Sequence, residues 1–187
     1  MNALAGPLHL LAVVLLVSGS QKLIRPAPAA TAMADAGLRI GRGTAAGVVL
    51  GAAEISIGVF VLAVPRWWAP AILGLAYAAL AMFVIRLRSS GSTAGCGCFG
   101  SSTTPPGRAH VVLNVLGAAV GLTTAVLGTP DLVDVLDDGA FVAATYVVLL
   151  GVGAGLLLTA PVELARITEE GSSRKPRPFA PVRETRR

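Results

Sequence analysis

The sequence predicts an all-α fold, a polytopic bundle of transmembrane helices, and three observations carry that prediction. Of the 187 residues, 54% are hydrophobic and only 13% are charged, about half the charged share of an ordinary soluble domain. The charges are also segregated: long stretches carry none, while most Lys and Arg gather in short connections and in roughly the last two dozen residues. Finally, five segments are long and apolar enough to cross a bilayer as helices, which takes about 20 residues at a rise of about 1.5 Å each.

The first span is expected over Gly6–Leu23, closing on Ser18-Gly19-Ser20-Gln21-Lys22-Leu23. No Lys or Arg precedes Lys22, so the run lacks the basic start of a cleavable secretory signal and reads as a retained span. Pro26 and Pro28 then break the helix. The alanine-rich residues that follow place Met33, Leu38 and Ile40 at helical intervals, which predicts a short helix lying in the interface. The second span, Thr44–Val64, carries Glu54 near its middle. Arg66 and the interfacial pair Trp67 and Trp68 lead into the third, Ala69–Leu87. A loop holding Gly95-Cys96-Gly97-Cys98-Phe99-Gly100 precedes the fourth, His110–Gly128, with Asn114 one turn inside. An acidic connection with Asp131, Asp134, Asp137 and Asp138 leads to the fifth, Ala140–Ala160. From about Glu169 onward, Pro176, Pro178, Pro181 and alternating charge leave no apolar periodicity, and the tail is expected to be disordered and to anchor to anionic lipid. Gly117 with Gly121, and Gly151 with Gly155, have the spacing of close helix packing in lipid.

Basic residues set the expected orientation. Lys22, Arg25, Arg39 and Arg42 flank the first connection, Arg86, Arg88 and Arg108 the cysteine loop, and seven more lie from Arg166 to Arg187. These regions are expected on the cytoplasmic side of a cell membrane, with the N-terminus outside. The net charge of +5 therefore describes membrane orientation, and no nucleic-acid partner is expected.

Cys96 and Cys98 are the only cysteines and carry the chemistry most directly. A closely spaced pair supplies both an attacking and a resolving sulfur, and a disulfide across one intervening residue is tight and so more easily reduced. The same two thiolates suit Cu(I), or Zn with two more ligands, and His110 is the nearest further donor, whereas His9 falls at the opposite face. His110 is expected to serve as a polar residue at a helix start. Glu54 is the second informative residue: a carboxylate at the bilayer midplane faces the bundle interior and needs a partner. Lys22, Arg25 and Asn114 are the candidates for a counter-charge or hydrogen bond. The chain shows no phosphate loop, serine nucleophile elbow or HExxH motif. On residues alone, three readings stay open: thiol–disulfide exchange, soft-metal binding or transport past Glu54, and structural anchoring of a complex.

From about Leu10 to Val126 the sequence resembles the MauE/DoxX-like family of redox-associated membrane proteins. The resemblance rests on Ser18-Gly19-Ser20-Gln21-Lys22-Leu23, the Pro/Ala-rich connection, Ala53-Glu54, and Cys96-Gly97-Cys98-Phe99-Gly100 followed by a span containing Asn114. It departs from the family pattern at Gly95, where an acidic residue is usual, and at Leu113, where an arginine is. The resemblance implies a four-helix membrane domain over 1–128, with the acidic loop and fifth span (129–160) added to it; the remaining residues (161–187) read as a basic, disordered cytoplasmic tail. It further implies a part in forming or transferring disulfides, as the founding member is associated with maturation of the disulfide-rich small subunit of methylamine dehydrogenase. On that basis the site residues are Cys96 and Cys98 as the redox pair, with Glu54, Lys22 and Asn114 as supporting polar groups. Membrane lipid and the thiols of a thioredoxin-like or substrate protein are the implied partners. No cofactor is identified, and whether the chain acts as an enzyme stays open.

Overall fold

The computed structural model describes residues 4–38, 41, 43–64, 66–92, 107–128, 132–137 and 139–173, with side chains except at 134, 135 and 160–173. Every regular element among them is helical: α1 (Ala5–Ile24), α2 (Pro26–Asp35), α3 (Ala45–Ala63), α4 (Trp68–Ser89), α5 (Arg108–Leu127), α6 (Leu132–Asp137) and α7 (Ala140–Ser173). Five of these, α1, α3, α4, α5 and α7, are long and apolar enough to cross a membrane, and they coincide with the five expected spans. Apolar side chains such as Val49, Leu75, Leu116 and Leu149 stand exposed around the bundle, as a lipid-facing surface requires.

Two helix pairs make the bundle, α1 against α3 and α4 against α5. Both are drawn together by glycine. A Cβ added at Gly121 would lie 2.5 Å from the Gly74 nitrogen, and one at Gly117 would lie 2.8 Å from the Tyr77 ring. The backbones can approach this closely only because neither position carries a side chain. The pairs meet around Leu8, Leu15, Val61, Leu73 and Tyr77. The Tyr77 hydroxyl donates 2.8 Å to the Leu11 carbonyl, joining α4 to α1.

Proline starts α2, with Pro26 in its first turn, where the missing N–H is not needed. Its end is a Schellman turn: the Leu38 N–H donates to the Met33 carbonyl (2.8 Å), the Gly37 N–H to that of Ala34 (2.9 Å), and Gly37 takes a φ of 78° that favours glycine. Arg86 Nε of α4 donates 2.6 Å to the Ala36 carbonyl, a cation placed at the negative end of a helix. Ser92 Oγ donates 2.6 Å to Asp35. These contacts fasten α2 against the cysteine-loop end of α4, where Ala32, Ala36 and Leu87 are buried together.

The fifth span packs on α1. Val14, Ala154 and Leu158 are buried together, and His9 Nδ1 lies 2.7 Å from the Tyr146 hydroxyl. Two expectations change here. Gly151 and Gly155 have nothing within 4 Å of an added Cβ, whereas Gly153, midway between them in sequence, faces the Leu10 side chain at 3.0 Å; the predicted glycine pair is not the close face of α7. The helix also continues past Ala160 to Ser173, so 161–173 are helical where a disordered tail was expected. Glu163, Leu164, Ala165 and Arg166 are all good helix formers that extend a preformed helix without a new nucleation cost.

Candidate functional site

The close crossing of α1 and α3 creates the polar centre of the membrane domain. A Cβ at Gly19 would lie 2.6 Å from the Gly51 carbonyl oxygen, and one at Gly51 would lie 2.8 Å from that of Gly19 and 3.0 Å from Lys22 Cβ. Gly47 likewise faces the Pro26 backbone, and Gly58 the Ala12 carbonyl. Gly47, Gly51, Glu54 and Gly58 thus share one stripe of α3, at intervals of four, three and four residues, which an α-helix keeps on one face. Lys22 is rooted against Gly51, one turn from Glu54, and its stem spans that turn.

Lys22 Nζ donates 2.7 Å to Glu54 Oε2 and 2.6 Å to Ser18 Oγ. Ser18 and Lys22 lie four residues apart, on one face of α1. The ion pair is almost completely shielded, with side-chain exposures of 0% and 5%. In an apolar medium an unpaired charge is unstable, so each group holds the other in place. The second carboxylate oxygen, Glu54 Oε1, is buried without a hydrogen-bond partner among the described residues, as is Gln21 Oε1 on α1.

Beside Glu54 lies an apolar cavity of about 270 Å³ between α3 and α4. Leu50 and Ile57 of α3, Leu80 and Phe83 of α4, and Met33 and Leu38 at the end of α2 form its walls. Met33 and Leu38 are the two residues joined by the Schellman bond, so the turn that ends α2 also roofs the cavity. Glu54 is the one ionisable residue in its lining.

Of the three candidate partners for Glu54, the structure brings Lys22 to it. Arg25 is exposed beyond the helix end. Asn114 is buried on α5, in line with His110, Gly117 and Gly121, and makes no hydrogen bond to the pair among the described residues. Cys96 and Cys98 lie outside the described residues, in the connection between Ser92 and Gly107. His110 stands where that connection rejoins the bundle. Its Nδ1 accepts the Gly107 N–H at 3.2 Å while the His110 backbone N–H donates to the Gly107 carbonyl at 3.2 Å, so side chain and backbone together stabilise the first turn of α5. Among the described residues no three His, Cys, Asp or Glu side chains stand together as a metal site.

Sequence reasoning passed over three contributors. Ser18 accepts from Lys22, a role that its place in the Ser18–Leu23 motif does not reveal. Tyr77 is buried and its hydroxyl ties α4 to α1 at the Leu11 carbonyl; a tyrosine inside an apolar span was the available signal. The stripe of Gly47, Gly51 and Gly58 was readable as small residues at helical spacing, but nothing in one sequence says which helix they face.

No curated protein and no solved structure matches the chain. A family model described as "Methylamine utilisation protein MauE" matches residues 3–128, the stretch that holds α1 to α5, the Lys22–Glu54 pair and both cysteines. With five membrane-spanning helices and two thirds of its length covered by that model, the chain is a multi-pass membrane protein belonging to the MauE family.

Proposed function

We propose that this MauE-family protein carries out thiol–disulfide exchange through Cys96 and Cys98, supporting disulfide formation or maturation of a partner protein in methylamine utilisation, in the cytoplasmic membrane. The observation that carries the reading is the Cys-Gly-Cys run itself: the only two sulfhydryls of the chain, two positions apart, within the stretch matched by the family model. The fastening of Ser92 to Asp35 and the His110 cap at Gly107 support it, because they give the cysteine connection two fixed ends. Lys22, Glu54 and Asn114 support the bundle beneath as polar positioning groups and exchange no electrons themselves.

In the oxidising direction a partner thiolate attacks one sulfur of the Cys96–Cys98 disulfide. The S–S bond breaks as a mixed disulfide forms, and the second partner thiolate then attacks that bond. The partner leaves with a disulfide, and Cys96 and Cys98 retain two electrons and two protons as a dithiol. The reverse sequence reduces the partner.

Partner trapping tests this. Cys96→Ala and Cys98→Ala variants, each isolated from native membranes under non-reducing conditions, are expected to yield a reductant-sensitive adduct with a thiol protein from at least one variant, absent when both cysteines are replaced. Normal membrane levels with no adduct from either variant would overturn the reading.

A further inference from the structure

We infer that the slot between α3 and α4, roofed by the end of α2, holds one acyl chain of an anionic phospholipid whose phosphate lies against the Arg86 guanidinium at the rim. The inference is independent of the redox chemistry proposed for Cys96 and Cys98. Depth is the first argument. The walls run from Leu50 to Ile57 on α3 and from Ala76 to Phe83 on α4, seven residues along each helix, or about 10 Å of rise. Leu50 lies five residues inside the start of α3 at Ala45, so the slot begins about 8 Å and ends about 18 Å from that helix end. One leaflet's half of the hydrocarbon core is about 15 Å thick, and the slot therefore lies at the depth of its acyl chains. Ala53 and Ala79 line it and are exposed on the outside of the bundle, so it opens sideways into lipid past two small side chains.

The walls select hydrocarbon. Every lining residue but Glu54 is apolar, and the Glu54 side chain is only 5% exposed, with its carboxylate held by Lys22. Water needs roughly two to four polar partners to stay in such a space, and these walls offer it almost none. About 270 Å³ exceeds the roughly 150 Å³ that accommodates a benzene ring, which leaves room for about ten carbons of a chain; a partner helix, about 10 Å across with its side chains, is too wide. The rim selects the headgroup. Arg86 stands one turn beyond Phe83 on α4, and its Nε donates 2.6 Å to the Ala36 carbonyl. Its Nη2 lies 3.3 Å from where a Cβ on Gly37 would be, beside Leu38 of the roof. The guanidinium is thus anchored at the rim while Arg86 remains exposed, and a guanidinium matches the paired oxygens of a phosphate. Arg25, Arg88 and Arg108 are exposed at the same end of the bundle. Asp35, the one acid there among residues described with side chains, is bonded to Ser92. A zwitterionic lipid brings its own ammonium into this positive field, whereas an anionic one brings only the complementary charge.

Photo-crosslinking tests the inference. The full-length chain is reconstituted in phosphatidylcholine vesicles with a small fraction of a phosphatidylglycerol that carries a diazirine midway along one acyl chain, and the labelled residues are mapped by mass spectrometry. Labelling is expected to concentrate on slot residues such as Leu50, Ile57 and Leu80 over the freely exposed Leu149 and Val152 of α7. Unlabelled phosphatidylglycerol should compete about fivefold better than added phosphatidylcholine, equivalent to about 1 kcal/mol for one arginine near the membrane surface. Arg86→Gln should remove that preference while the slot is still labelled. Ala76→Phe, which fills the slot, and Ala79→Phe, which narrows its exposed mouth, should each reduce slot labelling and leave that of α7 unchanged. Labelling as strong on α7 as in the slot, equal competition by the two lipids, a preference that survives Arg86→Gln, or undiminished slot labelling in both folded phenylalanine variants would overturn the inference. The Cys96→Ser/Cys98→Ser protein should label in the same pattern, so this result stands or falls apart from the exchange reading.

Discussion

Lys22 and Glu54 show how much one pair of side chains can fix in an apolar medium. Each is buried, each donates or accepts across the α1–α3 crossing, and the 2.7 Å contact between them leaves neither free to turn to water. Removing one partner strands the other, and the expected loss is about 3–5 kcal/mol. We therefore expect Lys22→Met and Glu54→Leu each to lower the unfolding temperature of the detergent-solubilised protein strongly. The double variant, with no stranded charge, should recover at least half of that loss; a double variant as unstable as the sum of the singles would show that the two residues act independently. The midplane position of Glu54 was legible in the sequence, and so was its need for a partner. The choice of Lys22 over Arg25 or Asn114 was not, because it depends on the depth at which α1 crosses α3, and that is set by Gly19 and Gly51.

Among elements, glycine placement decides which helices touch. Gly51→Leu and Gly121→Leu force a side chain into the backbone of a neighbour, at distances of 2.8 Å and 2.5 Å even for the first carbon. Each should cost about 1–3 kcal/mol or more by thermal unfolding. Gly155→Leu points into open space and should leave stability nearly unchanged; an equal loss there would contradict the packing of α7. The turn that ends α2 makes a separate prediction. Gly37 has a φ of 78°, so Gly37→Ala should destabilise the protein by about 1 kcal/mol and disturb the cavity roof formed by Met33 and Leu38. The five spans could be read to within about two residues because a bilayer imposes both length and composition. Helix pairing could not. Gly117/Gly121 and Gly151/Gly155 have the same spacing, yet only the first pair meets another helix, since spacing reports a face and not its neighbour. Likewise, helix propensity beyond Ala160 was masked by Pro161 and by the charged tail, although the residues after it continue α7.

For the whole molecule, α1 to α5 form the unit matched by the family model, with α7 attached through His9 and Tyr146. Fourteen of the fifteen basic residues, all but Arg66, flank or lie in the first and third connections or in the C-terminal stretch of the sequence, and under the positive-inside rule we propose that these regions face the cytoplasm. A membrane-impermeant maleimide should therefore leave Cys96 and Cys98 unlabelled in intact cells and label them in inverted vesicles; labelling of both in intact cells would reverse the orientation. The central claim concerns those same two sulfurs. The most direct measurement is their redox state in isolated membranes, by differential alkylation before and after reductant. A partly oxidised Cys96–Cys98 pair that reductant converts to two free thiols is the predicted result. Thiols that stay fully reduced, and remain so after exposure to an oxidised dithiol, would contradict an exchange role.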